Sequence, residues 1–253
     1  MQLPEGKKIY FASDFHLGIP DRASSVAREK RICKWLDEIK KDAAQLYLVG
    51  DLFDAWMEYK NVVPKGYSRF FGKLAELRDT GLPIEVFSGN HDLWMRGYFE
   101  EELNITVHHK PIEREFNGKK FFIAHGDGLG PGDLRYKILK SILRNPVCQW
   151  IYRRIHPDTG VGMAKFFSYM GPKHKDLDGK PFKGPDKEFL VQFALEKLKT
   201  EHIDYFIFGH RHITLEYPLP GNSLYVNLGD WIQYNSYAKF DGKELRLKFY
   251  EEK

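Results

Sequence analysis

Cysteine is nearly absent from this chain: Cys33 and Cys148 are the only two in 253 residues. Two thiols cannot build a disulfide framework, and a chain of 29.7 kDa can bury a core without one, so a reduced, cytoplasmic setting is expected. Long hydrophobic runs are missing as well. No stretch reaches the ~18 apolar residues of a membrane-spanning helix, and charged residues make up 29 % of the chain. The opening MQLPEGKKIYFASDF lacks the apolar centre and small-residue cleavage site of a secretion signal and enters strand-like sequence at once. Neither sign of charge dominates. The net charge of +4 suits a phosphate-bearing or membrane-surface partner without requiring one. Internal repeats, low-complexity tracts and linkers are absent, which predicts one domain over residues 1–253.

What is present is a recurring shape. Short runs rich in β-branched and aromatic residues end abruptly in polar motifs: KIYFASDFH (8–16), QLYLVGDLFD (45–54), PIEVFSGNHD (83–92), KFFIAHGD (120–127), DYFIFGHRH (204–212) and LYVNLGDW (224–231). Runs with both parities apolar predict strands buried on two faces. Between them, Ile32, Trp35, Leu36 and Ile39 recur at helical spacing behind the cap candidates Ser24 and Ser25. Tyr67, Phe70, Phe71, Leu74 and Leu77 form a second stripe, and Phe189, Leu190, Phe193, Ala194 and Leu198 a third. Strand–helix alternation predicts an α/β layered fold, at least partly parallel. Asp241-Gly242 predicts a C-terminal hairpin.

The strand ends carry Asp14 and His16, Asp51, Asn90, His125, and His210 with His212. In α/β sheets, sites form at the carboxyl ends of strands, so these residues can converge although they are far apart in sequence. Carboxylate, amide oxygen and imidazole together suit Mn²⁺, Fe²⁺ or Zn²⁺. Seven ligands exceed what one such ion takes and suit a pair sharing a carboxylate. Five of the ten histidines (His16, His91, His125, His210, His212) lie in these motifs, whereas His108, His109, His156, His174 and His202 do not. The intervals Asp14–Asp51, Asp51–Asn90 and Asn90–His125 are 37, 39 and 35 residues, each read as one strand–helix unit. The next, His125–His210, is 85 residues, which predicts a helical lid inserted at about 132–186.

The series Asp14-x-His16, Gly50-Asp51-x-x-Asp54, Gly89-Asn90-His91-Asp92, His125-Gly126-Asp127 and Gly209-His210-x-His212 resembles the calcineurin-like metallophosphoesterases. The resemblance implies a four-layer sandwich of two sheets flanked by helices. It implies one metal held by Asp14, His16, Asp51 and His212, and a second by Asp51, Asn90, His125 and His210. His91 would be the donor or general acid toward the leaving oxygen, with Asp92, or failing that Asp54, orienting its ring. The flanks FASDFHLG, VGDLFDAW, HGDGLGPGDLRYK, LGDW and SYAKFDG narrow the resemblance to the UDP-2,3-diacylglucosamine pyrophosphohydrolases of lipid A synthesis, especially the Bacteroidetes form. That implies two ions, Mn²⁺ preferred, attack of water at the α-phosphorus to give UMP and the lipid 1-phosphate, and a peripheral place at the inner membrane. The chain departs from the proteobacterial pattern by carrying His91 in place of Arg and Asp54 in place of Glu.

Within the insertion, residues 135–156 mix Arg135, Lys137, Lys140, Arg144, Arg153 and Arg154 with Ile138, Leu139, Ile142, Leu143, Val147, Trp150, Ile151 and Tyr152. This predicts a basic amphipathic helical hairpin, broken near Pro146, suited to an anionic bilayer and to acyl chains. Asp133, Arg135, Tyr136, Lys165 and Ser168 are the candidate contacts to sugar and diphosphate, with Lys173 and Lys175 beyond them. No nucleic-acid-binding module and no obligate protein partner is evident. The rival readings are a nuclease, a nucleotide phosphodiesterase, a protein phosphatase, or a scaffold without catalysis.

Overall fold

The computed structural model describes residues 1–132, 134–170 and 181–251; Asp133, Lys173 and Lys175 lie outside the described residues, as do the side chains of Arg135 and Tyr136. The chain runs from β1 (Lys8–Ala12) through α1 (Arg22–Ile39) to β2 (Ala43–Val49), then α2 (Ser68–Asp79) to β3 (Ile84–Phe87), and α3 (Tyr98–Leu103) to β4 (Thr106–His108). These strands are parallel neighbours. A hairpin of β5 (Ile112–Phe116) and β6 (Lys119–Ala124) opens a second sheet. Three helices follow, α4 (Leu134–Arg144), α5 (Pro146–Tyr152) and α6 (Pro157–Met170). Next, α7 (Phe189–Leu198) leads into β7 (Tyr205–Phe208), β8 (Thr214–Leu219) and β9 (Ser223–Leu228). Finally β10 (Ser236–Phe240) and β11 (Leu245–Phe249) return to the first sheet, giving orders β11-β10-β1-β2-β3-β4 and β5-β6-β7-β9-β8.

Strand alternation builds the layers. Ile9, Phe11, Tyr47, Val49 and Phe87 face Phe121, Ile123, Ile207 and Val226 between the sheets. The opposite parity, Tyr10, Ala12, Leu46, Leu48 and Val86, packs on Trp35, Leu36, Phe70, Leu74 and Phe99 of α1–α3. Phe122, Ala124, Phe206 and Phe208 pack on Leu190, Val191 and Ala194 of α7. Helices, sheet, sheet and helix make the four-layer α/β sandwich, each fully buried large apolar side chain contributing about 1.5–3 kcal/mol. The strands therefore read as continuous apolar runs because both faces are covered.

Three local readings change. Asp21, not Ser24 or Ser25, caps α1, its carboxylate accepting from the Ser24 amide at 2.9 Å. Ser25 Oγ instead accepts from the Gly18 amide in the loop behind His16. The Asn90–His125 interval is not one strand–helix unit. It holds the short α3, the edge strand β4, a switch between sheets from His108 to Ile112, and the hairpin turn Asn117-Gly118 between β5 and β6, both turn residues at positive φ. Finally, the basic face of 135–156 is partly spent within the protein. Lys140 pairs with Asp127 at 2.5 Å, and Lys137 donates to the Gly130 carbonyl at 2.7 Å.

The break at Pro146 is as expected, with Asn145 capping α5. The inner faces of these helices set Leu143, Tyr152 and Ala164 on Met57, Tyr59, Leu93 and Trp94. Their outer faces leave Ile138, Leu139, Ile142, Val147, Trp150 and Ile151 at least half exposed. No helix among the described residues is long and apolar enough to cross a membrane.

Candidate metal centre

The loops after β1, β2 and β3 meet those after β6 and β7 at one end of the sandwich. Asp14, His16, Asp51, His210 and His212 all have left-handed backbone, with φ of 55, 42, 51, 68 and 51°. Non-glycine residues adopt this region at a cost, and such strain concentrates where a side chain must be aimed at a site. The turns are kept by tight neighbours. Gly50 lies against the His125 ring, where a Cβ would fall 2.5 Å from Nδ1. Buried Arg28 on α1 donates to the carbonyls of Phe15 (3.2 Å) and His16 (2.6 Å), holding the first loop.

The side chains gather in three groups, each with its ligand atoms within 4.8 Å: Asp14, His16 and His212; Asp51, His125 and His210; and His16, Asp51 and His91. The first two each bring together three of the four residues in one of the sets that the family resemblance implies. Asp51 lies between them, its Oδ2 3.1 Å from His125 Nε2 and 3.7 Å from His16 Nε2. Asn90 sits in the loop over Asp51, where the next residue's amide donates to Asp51 Oδ1 at 2.8 Å. The third group brings His91 closer to the cluster than its sequence role required.

Electrostatics favour added positive charge. Burial works against the charged ring of His16, but Asp14, Asp54 and Asp51 outweigh it and hold its pKa up at about 10. Asp51 and Asp14 do the same for His125, also about 10, against its burial. Burial opposes the ionised forms of Asp14 and Asp51, yet the facing imidazoles keep both far below the usual carboxylate range. The donor set fits divalent cations. His125 Nε2 and Asn90 Oδ1 are buried without a hydrogen-bond partner among the described residues. His16 Nε2 and His212 Nε2 face each other at 3.1 Å, close to the separation of about 3 Å between neighbouring ligands of an ion with ~2.1 Å bonds.

Beside the cluster, His91 Nδ1 is 2.9 Å from the Asp54 carbonyl oxygen and 3.1 Å from Ser168 Oγ. Ser168 also donates to Asp54 Oδ2 at 2.9 Å. Asp54, not Asp92, is therefore the carboxylate beside the His91 ring, its Oδ1 3.5 Å from Nδ1. Asp92 faces the loops: its two oxygens accept from the buried amides of Leu52 (2.7 Å) and Gly89 (2.6 Å). Its expected part in orienting His91 is corrected on that ground. Of the candidate substrate contacts, Ser168 reaches the site, and Lys165 is exposed on α6. Arg135 and Tyr136 have their backbone in α4.

Asp230 escaped the sequence reading. It is fully buried, its Oδ2 lies 3.6 Å from His212 Nδ1, and its Oδ1 accepts from the Ile232 and Gln233 amides. The signal was there: LYVNLGDW ends in Gly-Asp at a strand terminus like the other motifs.

Comparison with known proteins follows the same lines. The calcineurin-like phosphoesterase family profile matches residues 7–214. A UDP-2,3-diacylglucosamine hydrolase from Porphyromonas gingivalis is 40 % identical, covering 97 % of this chain and 98 % of its own length. A protein of the same description from Vibrio parahaemolyticus is 28 % identical over 93 % and 96 % of the two chains. Among solved structures, a dimetal phosphatase from Danio rerio shares the fold with a TM-score of 0.51 at 10 % identity, over 97 % of this chain and 96 % of that one.

Proposed function

This chain belongs to the calcineurin-like phosphoesterase family of metal-dependent hydrolases, and from that premise we propose that it cleaves the pyrophosphate of UDP-2,3-diacylglucosamine to UMP and 2,3-diacylglucosamine 1-phosphate. The observation that carries the substrate is the 40 % identity to a hydrolase of that description across nearly the full length of both chains. The cluster supports the chemistry. Asp14, His16, Asp51 and His212 would hold one divalent ion, and Asp51, Asn90, His125 and His210 the other, Mn²⁺ being the proposed metal. Two such ions, when bound, supply positive charge to the phosphate and acidify water.

The residues' own part is positional. Asp51 spans the two sets and fixes their spacing. The contact of His91 Nδ1 with the Asp54 carbonyl oxygen sets the ring's orientation and leaves Nε2 for the phosphoryl or leaving oxygen. Burial pushes the His91 pKa below its ordinary value, against the pull of Asp51, and an arriving anionic phosphate would act in the same direction as Asp51. Ser168 ties α6 to this pair and sits where a substrate phosphate or sugar would pass. The segment at about 132–186 serves as the lid. The exposed apolar outer face of α4 and α5 supports acyl-chain shelter and a peripheral seat at the inner membrane of the cytoplasm.

The test is turnover of UDP-2,3-diacylglucosamine in ¹⁸O-water by the metal-loaded protein. UMP carrying the label, with no inorganic phosphate released, is the expected result. Inorganic phosphate as product, or no turnover, overturns the reading.

A further inference from the structure

A pocket of about 310 Å³ lies under α4, against the ends of β3, β4 and β6. His125 and Gly126 are in its lining, so it abuts the cluster side that carries Asp51 and His210. Ser88, two residues before Asn90, is also in the lining, its Oγ 3.0 Å from His109 Nδ1. Two lining cations, Lys110 and Arg144, have no carboxylate in ion-pair contact among the described residues. Arg144 Nε is buried and has no hydrogen-bond partner among the described residues. The lining carboxylate, Asp127, is paired with Lys140. Phe87, Pro111 and Leu129 give the pocket apolar surface.

An apolar surface, hydroxyl and imidazole groups, and cations with N–H donors to spare for neutral acceptors, all next to a phosphate-hydrolysing centre, define a site for a polar ring system attached to a phosphate. We infer that this pocket takes the nucleoside monophosphate half of the substrate, with its phosphate at the His125 end and its ribose and base toward Arg144 and Lys110. The inference rests on the pyrophosphate reading above and adds which half goes where. The volume sits at the low end for small-molecule sites, which suits one nucleoside and not a pair of acyl chains. The lipid half has its own apolar surface on the outer face of α4 and α5, where Leu139, Ile142 and Trp150 are exposed. The two halves of the substrate then leave the metal centre on different sides of α4.

The experiment measures binding of UMP, glucosamine 1-phosphate and inorganic phosphate to the metal-loaded protein by calorimetry. It compares wild type with Arg144→Gln, Lys110→Gln and, as a control on α1, Lys30→Gln. Loss of one charge-assisted contact should weaken UMP at least about tenfold in the first two variants. Glucosamine 1-phosphate should be held equally by all, and the control should match wild type. UMP should also shift the amide resonances of Ser88 and His109, a readout that survives if Arg144→Gln does not fold. Unchanged UMP affinity in both variants, or glucosamine 1-phosphate weakened in its place, overturns the assignment. If the pyrophosphate reading fails instead, wild type will not turn over the UDP-lipid, whatever UMP does at the pocket.

Discussion

Removing the Asp92 carboxylate should unfasten the loops of the metal centre without touching the His91 ring. Its two oxygens are the recorded acceptors for the buried amides of Leu52 and Gly89, next to Asp51 and Asn90 respectively. In Asp92→Ala both donors lose their acceptor. At about 1–3 kcal/mol for each buried donor left unsatisfied, the loss is about 2–6 kcal/mol, a large share of a typical stability of about 5–15 kcal/mol. For a chain of this size that is roughly 5–20 °C in Tm. Asp92→Asn keeps one acceptor and should lose about half as much. Denaturant titration in the presence of chelator reads this loss free of metal binding, and a parallel titration reads metal affinity, which should weaken in both variants. The outcome that refutes the reasoning is wild-type stability and metal affinity with kcat alone reduced. That pattern belongs to a partner of His91, the role the structure gives to Asp54.

Three further outcomes follow from the geometry. His91→Ala should lower kcat by ~10²–10⁴ with metal content unchanged in elemental analysis, as for a positioned donor; metal lost in step with activity would make His91 a ligand. Replacing exposed Ile142 and Trp150 with Asp should raise KM for the diacylated substrate by about tenfold or more, since each sheltered CH₂ contributes ~0.8 kcal/mol, and should leave hydrolysis of a small soluble phosphodiester nearly unchanged. Burial opposes the charge on Glu85, but His108 at 2.5 Å and Arg114 at 3.2 Å hold its pKa below the ordinary value. Its contribution to stability is therefore complete above about pH 4.5 and fades as pH falls through the lower folded value, so Glu85→Gln should flatten that acid limb in urea titrations.

The ligand positions were legible because each lies just past the C-terminal end of an apolar run, where chain direction in a parallel sheet collects such ends. The two faces of each strand were legible for the same reason: no polar parity interrupts KIYFA or QLYLV. The edge strand β11 was legible from its hairpin turn, but two other edge strands were not. The run IEREF in β5 alternates with charge, and β8 contains Pro218, which an edge tolerates and an interior position does not. The choice between Asp54 and Asp92 turns on which side of one loop a carboxylate faces. Adjacency in sequence favoured Asp92, and only the amides of Leu52 and Gly89, which take both of its oxygens, decide against it. Left-handed backbone at five site residues could not be read from the sequence, because Asp and His are enriched in that region but adopt it only in a minority of cases.

The placement of β10 beside β1 has a consequence for how the molecule comes into being. Ile9 is opposite Phe240 and Phe11 opposite Ala238, so β1 waits for a strand made long after it. At roughly 5–20 residues per second of synthesis, β1 spends on the order of 10–50 s with one edge open. His210 and His212 emerge only shortly before that edge closes. Over that interval a nascent chain carries an unfinished sheet with an adhesive border. Metal loading and closure of the first sheet both wait on the stretch from His210 to Phe240.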